Sequence, residues 1–190
     1  NYIVNEQGRQ DHVANTMPSP YYRFDGSNDL ITIAHNANLD FGTGDFSVEA
    51  LVNIPTGGQF TFCKLNSWVN QGWFVRVHPA NGYRIRMEDS DGGELDSGYI
   101  ANNIPADTWV HVLVTFDRDG SYTLYQNGVN VSSASITGYD ASISTTGDLL
   151  INGYPFSGTT YTGPSEVAMI RQFNKALTST EVKELYSGAS

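Results

Sequence analysis

Cysteine is nearly missing from these 190 residues. The one present, Cys63, can close no internal disulfide. It sits in the apolar run Phe60-Thr61-Phe62-Cys63, where a free thiol acts as a small buried hydrophobe rather than a nucleophile. Cationic side chains are also few: ten Lys and Arg against twenty Asp and Glu leave a formal charge of −10 and a pI near 4.6. Nucleic acid and anionic lipid are bound through clustered Lys and Arg; here the ten are scattered, which disfavours both, and no nucleic-acid partner is expected. No window approaches ~18 consecutive apolar residues, so membrane insertion is excluded as well. The first twenty residues hold no apolar run of the roughly 7 to 15 residues a secretion signal carries. With Pro18 and Pro20 they are expected to form an N-terminal arm or linker, 1–20, of a processed chain or a piece of a longer one.

What the chain does have is period-two alternation. Val110, Val112, Val114 and Phe116 share one strand face and Trp109, His111, Leu113 and Thr115 the other, so this strand is expected to be central and covered on both sides. Asp117-Arg118-Asp119-Gly120 reverses the chain, and Asn127-Gly128 is a strong type I′ hairpin signal because both residues tolerate positive φ. Further strands are expected around Tyr22 to Phe24 and Leu30 to Ile33, at Phe46 to Val52, Gln59 to Leu65, Gly72 to His78, Tyr83 to Glu88 and Gly98 to Ala101. After 109–116, 121–126 and 129–135 come Asp148 to Ile151 and Val167 to Phe173. Glycine, at 19 residues, suits so many turns. One helix is expected over Leu177 to Tyr186, with Thr178 and Glu181 as a capping box and Leu177 and Val182 as a hydrophobic staple. The result is an all-β, two-sheet antiparallel sandwich with one short C-terminal helix, occupying 21–190.

The segments YYRFDGSNDLITI, FGTGDFSVEALV, TWVHVLVTFDRDGSYTLYQNGVNV and SEVAMIRQFNKALTSTEVKELY, in that order, resemble the laminin G-like jelly-roll domains of the concanavalin A-like lectin and glucanase superfamily. The resemblance implies two curved sheets, a concave face that often holds saccharide, and frequent calcium at the rim. It departs at Leu51, where the family usually has a tryptophan. MPSPYYRFDG and FNKALTSTEVKELYSG also look like such domains in bacteriophage virion and tail proteins.

Fold alone does not decide between cutting and holding a sugar. Retaining glycosidases of this superfamily carry Glu-x-Asp-x-x-Glu, because hydrolysis needs two carboxyls about 5 to 5.5 Å apart. Glu94-Leu95-Asp96-Ser97-Gly98-Tyr99 starts that pattern and ends on tyrosine, in a stretch that reads as loop. No Gly-x-Ser-x-Gly elbow, His-Glu-x-x-His or phosphate-binding loop occurs. A lyase would need a Tyr or His base with Arg or Gln neighbours, such as His111, Arg84 and Arg86, but a mid-strand His111 is expected as a satisfied histidine between the sheets. No catalytic residue is therefore assigned.

A lectin needs aromatic rings for sugar faces and short polar groups for hydroxyls. Asn66, Trp68 and Asn70 in one connection and Tyr154 and Tyr161 in another supply both, and are the expected ligand-binding residues. Trp68 either receives a sugar ring or folds over the sandwich end as a lid on the core; Trp73 is expected in the core, and Trp109 in the core or on a groove floor. Calcium is a candidate cofactor, with Asp25, Asp29, Asp89 and Asp91 as its oxygen donors. The leading expectation is a non-catalytic carbohydrate-binding or adhesive module, extracellular or on a virion surface, whose partners are a glycan or cell-surface polysaccharide and, for assembly, further copies of itself or neighbouring virion subunits. A carbohydrate-active enzyme and a purely structural protein-contact module are the alternatives.

Overall fold

The computed structural model describes residues 21–67, 71–156 and 159–189, so the expected arm at 1–20 lies outside the described residues. In chain order the strands are β1 (Tyr22–Asp25), β2 (Ile31–Ile33), β3 (Phe46–Asn53), β4 (Phe60–Leu65), β5 (Gly72–His78), β6 (Gly82–Glu88), β7 (Glu94–Asp96), β8 (Trp109–Phe116), β9 (Ser121–Gln126), β10 (Val129–Ser135), β11 (Leu149–Ile151), β12 (Gly153–Phe156), β13 (Thr159–Thr162) and β14 (Pro164–Phe173), followed by helix α1 (Ser179–Ala189). They form a six-stranded sheet ordered β1-β14-β3-β8-β9-β10, a second ordered β2-β11-β4-β5-β6-β7, and the small β12-β13 hairpin. All pairings are antiparallel, which gives the jelly-roll sandwich expected from the alternation.

The alternation explains the core. Phe46, Val48, Ala50 and Val52 of β3 and Val110, Val112, Val114 and Phe116 of β8 face Phe60, Phe62, Trp73, Val75, Val77, Tyr83, Ile85 and Met87 of the opposing sheet. Phe46 stacks on Phe116 with centroids 4.2 Å apart, and Trp73 meets Phe62 edge-on at 4.9 Å. Turn chemistry sets the register: Asn127 and Gly128 take φ of 51° and 73°, the left-handed pair a type I′ turn demands.

Both faces of β8 are covered, and the second cover is α1. Leu113 and Tyr125 on the outer face of the first sheet pack with Leu177 and Val182. The helix begins as a capping box, with Thr178 N–H donating to Glu181 Oε2 at 2.9 Å and Glu181 N–H donating to Thr178 Oγ1 at 3.3 Å.

Four local expectations change. Residues 94–96 are not loop but a three-residue edge strand paired antiparallel with the end of β6, Leu95 opposite Met87, and Arg84 and Arg86 bond Asp96 and Glu94 across it. Residues 98–101, expected as a strand, contribute only one bridge, Ile100 to Tyr83. The aromatic connection around Tyr154 is the β12-β13 hairpin, with Tyr154 directly opposite Tyr161. His111 does not lie between the sheets; it points outward beneath α1, its ring 5.6 Å from that of Tyr186.

That histidine belongs to a buried ion cluster. Its Nε2 lies 2.7 Å from Glu49 Oε1, and Arg171 grips the same carboxylate through Nε at 2.7 Å and Nη2 at 2.8 Å. Burial by itself would raise the Glu49 pKa, but the bonds from His111 and Arg171 outweigh it and hold the carboxyl below its usual value. A lowered folded-state pKa contributes stability above the unfolded value of about 4.3, and that contribution is lost as pH falls through the folded value. Thermal melts should therefore drop steeply below about pH 4 in the native protein. The Glu49→Gln protein should melt lower at pH 7 and show a shallower acid decline; equal acid slopes in the two would show that Glu49 titrates alike folded and unfolded.

Candidate functional site

Two features of the second sheet stand apart from the core: a polar pocket at one end and an arginine-aromatic layer on its outer face. The pocket encloses about 460 Å³ and is lined by His35, Asp40, Asn66, Gln71, Glu88, Asp89, Ser90, Ser144, Thr145 and Thr146 among others. Its wall is organised by Lys64, a side chain only 1% exposed at the end of β4. Lys64 Nζ donates to Asp40 Oδ1 at 2.8 Å and to the carbonyls of Thr145 at 2.8 Å and Gly147 at 3.0 Å, and lies 3.1 Å from His35 Nδ1. One buried ammonium thus ties β4 to the segments at 35–40 and 145–147. Around the mouth, Asn66 Nδ2 donates to Thr146 Oγ1 at 2.9 Å, leaving amide, hydroxyl and carboxylate groups facing one space.

On the outer face, strand alternation places Cys63, Leu65 and Phe74 in an apolar layer with Leu150, onto which Leu30 and Tyr154 pack. Tyr154 meets Phe74 edge-on at 5.3 Å and stacks on Tyr161 at 5.3 Å, while Phe156 meets Tyr161 at 5.9 Å. The Arg76 guanidinium lies 4.4 Å from the Tyr154 centroid and 5.3 Å from that of Phe74, a cation–π arrangement on two rings. Its Nη1 donates to the Tyr99 hydroxyl at 3.0 Å. Tyr99, Tyr161 and Phe156 are 47%, 43% and 38% exposed, so three of the large exposed aromatics gather here. Cys63 donates to the Gly153 carbonyl at 3.2 Å, and burial pushes its thiol far above the ordinary range, which makes it inert.

Of the residues expected from sequence, Tyr154 and Tyr161 are brought together and Asn66 lines the pocket; Trp68 and Asn70 lie outside the described residues. Trp73 is core, as expected, and Trp109 meets Tyr21 edge-on at 5.5 Å at the start of β8. The calcium ligands are not brought together. Asp25 accepts from Ser27 N–H, Asp29 from Asp25 N–H, and Asp89 from the amides of Asp91 and Gly93, each closing its own turn. Among the described residues no three Asp, Glu, His or Cys side chains converge as a cation site would need, so no step below is routed through calcium. Sequence reasoning missed Arg76, Asp40, Glu88 and Lys64. Arg76 was visible only as the outward partner of Phe74 on β5; Asp40 and Lys64 meet across distant segments.

A model of the laminin G-like family, described as the concanavalin A-like lectin/glucanases superfamily, matches residues 25–183. The chain belongs to this superfamily. It is 26% identical over 125 residues to Paraclostridial mosquitocidal protein 1 of Paraclostridium bifermentans, a match covering 57% of this chain and 10% of that toxin. The solved binding domain of that toxin superposes with a TM-score of 0.68 at 19% identity, over 90% of this chain and 46% of the domain. The botulinum neurotoxin serotype G binding domain gives 0.65 at 20% identity, over 90% and 45%. The serotype D ligand binding domain, solved with N-acetylneuraminic acid, gives 0.68 at 18% identity, over 92% and 43%. At these identities the likeness is one of fold, and the chain spans less than half of each domain.

A retaining glycosidase of this superfamily needs a carboxyl pair, and here Glu94 and Asp96 are both taken. Asp96 is gripped by Arg84 through Nε and Nη2, and Arg86 bonds Glu94 at 3.1 Å. The hydrogen bond from Arg84 holds the Asp96 carboxyl below its usual range, the reverse of what a general acid needs. The pocket's dependence on Lys64 is testable. Lys64→Met should cost about 3 kcal/mol in urea unfolding, because Asp40 loses its buried partner; a change within about 0.5 kcal/mol would show that the ammonium does not hold the pocket together.

Proposed function

We propose that this chain is a non-catalytic carbohydrate-binding module of a larger extracellular protein. The observation that carries the reading is the polar end pocket, where the amides of Asn66 and Gln71, the hydroxyls of Ser144, Thr145 and Thr146 and the carboxylates of Asp40, Glu88 and Asp89 converge on one space of sugar size. Such groups meet saccharide hydroxyls as paired donors and acceptors, and a pocket that keeps its ion pairs internal is pre-organised for a neutral polyol. Trp68 and Asn70 fall within the connection between Asn66 and Gln71, so the aromatic residue expected to receive a sugar ring is in the chain segment between two pocket residues. The relatives support the class: each solved neighbour named above is a binding domain, and one was solved with a sugar acid.

A secreted setting is favoured over a virion one, because the related proteins are clostridial toxins and the phage likeness rests on the two ends of the chain. Oligomers of this chain and calcium binding are part of the proposal on the strength of sequence alone. The test is a panel of polysaccharides offered with calcium and with chelator, while retention and new reducing ends are both measured. Retention without new reducing ends is expected, and Asn66→Ala and Trp68→Ala should each weaken it about tenfold, some 1.4 kcal/mol. New reducing ends would overturn the non-catalytic reading, and failure to retain any saccharide would overturn the carbohydrate reading.

A further inference from the structure

Among the described residues, most of the cations on the strands are answered. Arg84 meets Asp96, Arg86 meets Glu88 and Glu94, Arg171 meets Glu49, and Lys64 meets Asp40. Arg118, deeply buried, directs its Nε and Nη2 to the carbonyls of Tyr139 and Ala141. Arg76 differs. It is 6% exposed and, like Arg118, takes part in no ion pair among the described residues, but its side chain has only one hydrogen bond there, from Nη1 to Tyr99. Its Nε and Nη2 are buried and have no hydrogen-bond partner.

Those two nitrogens are not an arbitrary pair. They form the side-on edge of the guanidinium, the fork whose parallel N–H groups match the two oxygens of a carboxylate. The same molecule shows the match twice: Arg84 holds Asp96, and Arg171 holds Glu49, through Nε and Nη2. In Arg76 that edge is buried and has no acceptor. A buried cation lacking a counter-charge is costly; Arg76 lies on the rings of Phe74 and Tyr154, and its cross-strand neighbour is a second cation, Arg84, whose own fork is already taken by Asp96.

We propose that the Arg76 fork, framed by Tyr99, Tyr154, Tyr161 and Phe156, is a subsite for the carboxylate of an acidic saccharide. The exposed rings of Tyr99, Tyr161 and Phe156 offer stacking surfaces for the apolar faces of sugar units. Tyr99 is the entry: it lies outside the strands, nearly half exposed, and its hydroxyl is Arg76's only hydrogen-bond partner. Arg76 stands four residues along β5 from Gly72, which pairs with the pocket residue Glu88, so subsite and pocket are separated by about 13 Å along the sheet, a span of a few sugar units. The inference rests on the carbohydrate-binding reading and deepens it by naming a uronic or sialic type of acid. The net charge of −10 disfavours anions at long range; screening at physiological salt, with a Debye length of about 8 Å, confines that repulsion, while the fork acts at contact.

The experiment is calorimetric titration of the intact chain with a polyuronate oligosaccharide and its carboxyl-reduced form, and with sialyllactose and lactose. Each acidic member should bind at least tenfold more tightly than its neutral counterpart. Arg76→Gln and Arg76→Lys should both abolish that preference while retaining the affinity for the neutral forms. Arg76→Met, with its charge removed from an apolar layer, should melt no lower than the native protein; a large loss of stability would assign Arg76 a structural role and overturn the subsite. Equal affinity for acidic and neutral members, with binding intact, would overturn the subsite and leave the carbohydrate reading standing. Binding of none of them would remove both. A glutamate-rich peptide that competes better than any saccharide would also overturn the sugar assignment.

Discussion

Each strand of this sandwich commits alternate side chains to a shared core, and the other half of its side chains must then be covered, charged or put to use. That constraint organises everything outside the core. On the first sheet, α1 closes over Leu113 and Tyr125, with Leu177 and Val182 completing a second apolar layer. On the second sheet the cover is thinner: the β12-β13 hairpin brings Tyr154 down on Phe74 and leaves Tyr161 and Phe156 facing out. The helical cover makes a closed face, and the hairpin cover a usable one.

Charge placement follows from the same geometry. Ionisable groups on an outer face that becomes buried must find partners. Glu49 does so with His111 and Arg171 beside the helix; Lys64, on the inner side of β4 with Phe60 and Phe62, meets the same need with Asp40 and two carbonyls at the pocket. These two clusters join segments far apart in the chain, Glu49 to Arg171 and Lys64 to Asp40 and Thr145. Their physical work is positional. Arg76 is buried without an ionic partner among the described residues, and its Nε and Nη2 have no acceptor, which is why the proposed subsite is placed there.

Against catalysis, the chemistry is local and specific. The Glu94 and Asp96 that begin a glycosidase pattern are on an edge strand with an arginine apiece. The bond from Arg84 holds the Asp96 carboxyl below its usual range, and an ionised carboxylate cannot protonate a leaving group.

The alternation at 46–52 and 109–116, the Asn127-Gly128 turn and the Thr178–Glu181 cap were legible from sequence because each depends on neighbours within a few residues: a pleat, a positive φ, a reciprocal bond across one helical turn. The same local logic placed Cys63 and Trp73 in the interior. It failed where contact is long-range. Nothing near His111 in sequence says that a helix seventy residues later will cover it, and a tyrosine-rich stretch at 152–162 reads as loop until Tyr154 finds Phe74 and Arg76. Side-chain periodicity alone therefore determined the two-sheet architecture and its core. Which outward residues are buried, paired or left for a ligand was decided only by tertiary structure, because that depends on what distant segment comes to lie over each face.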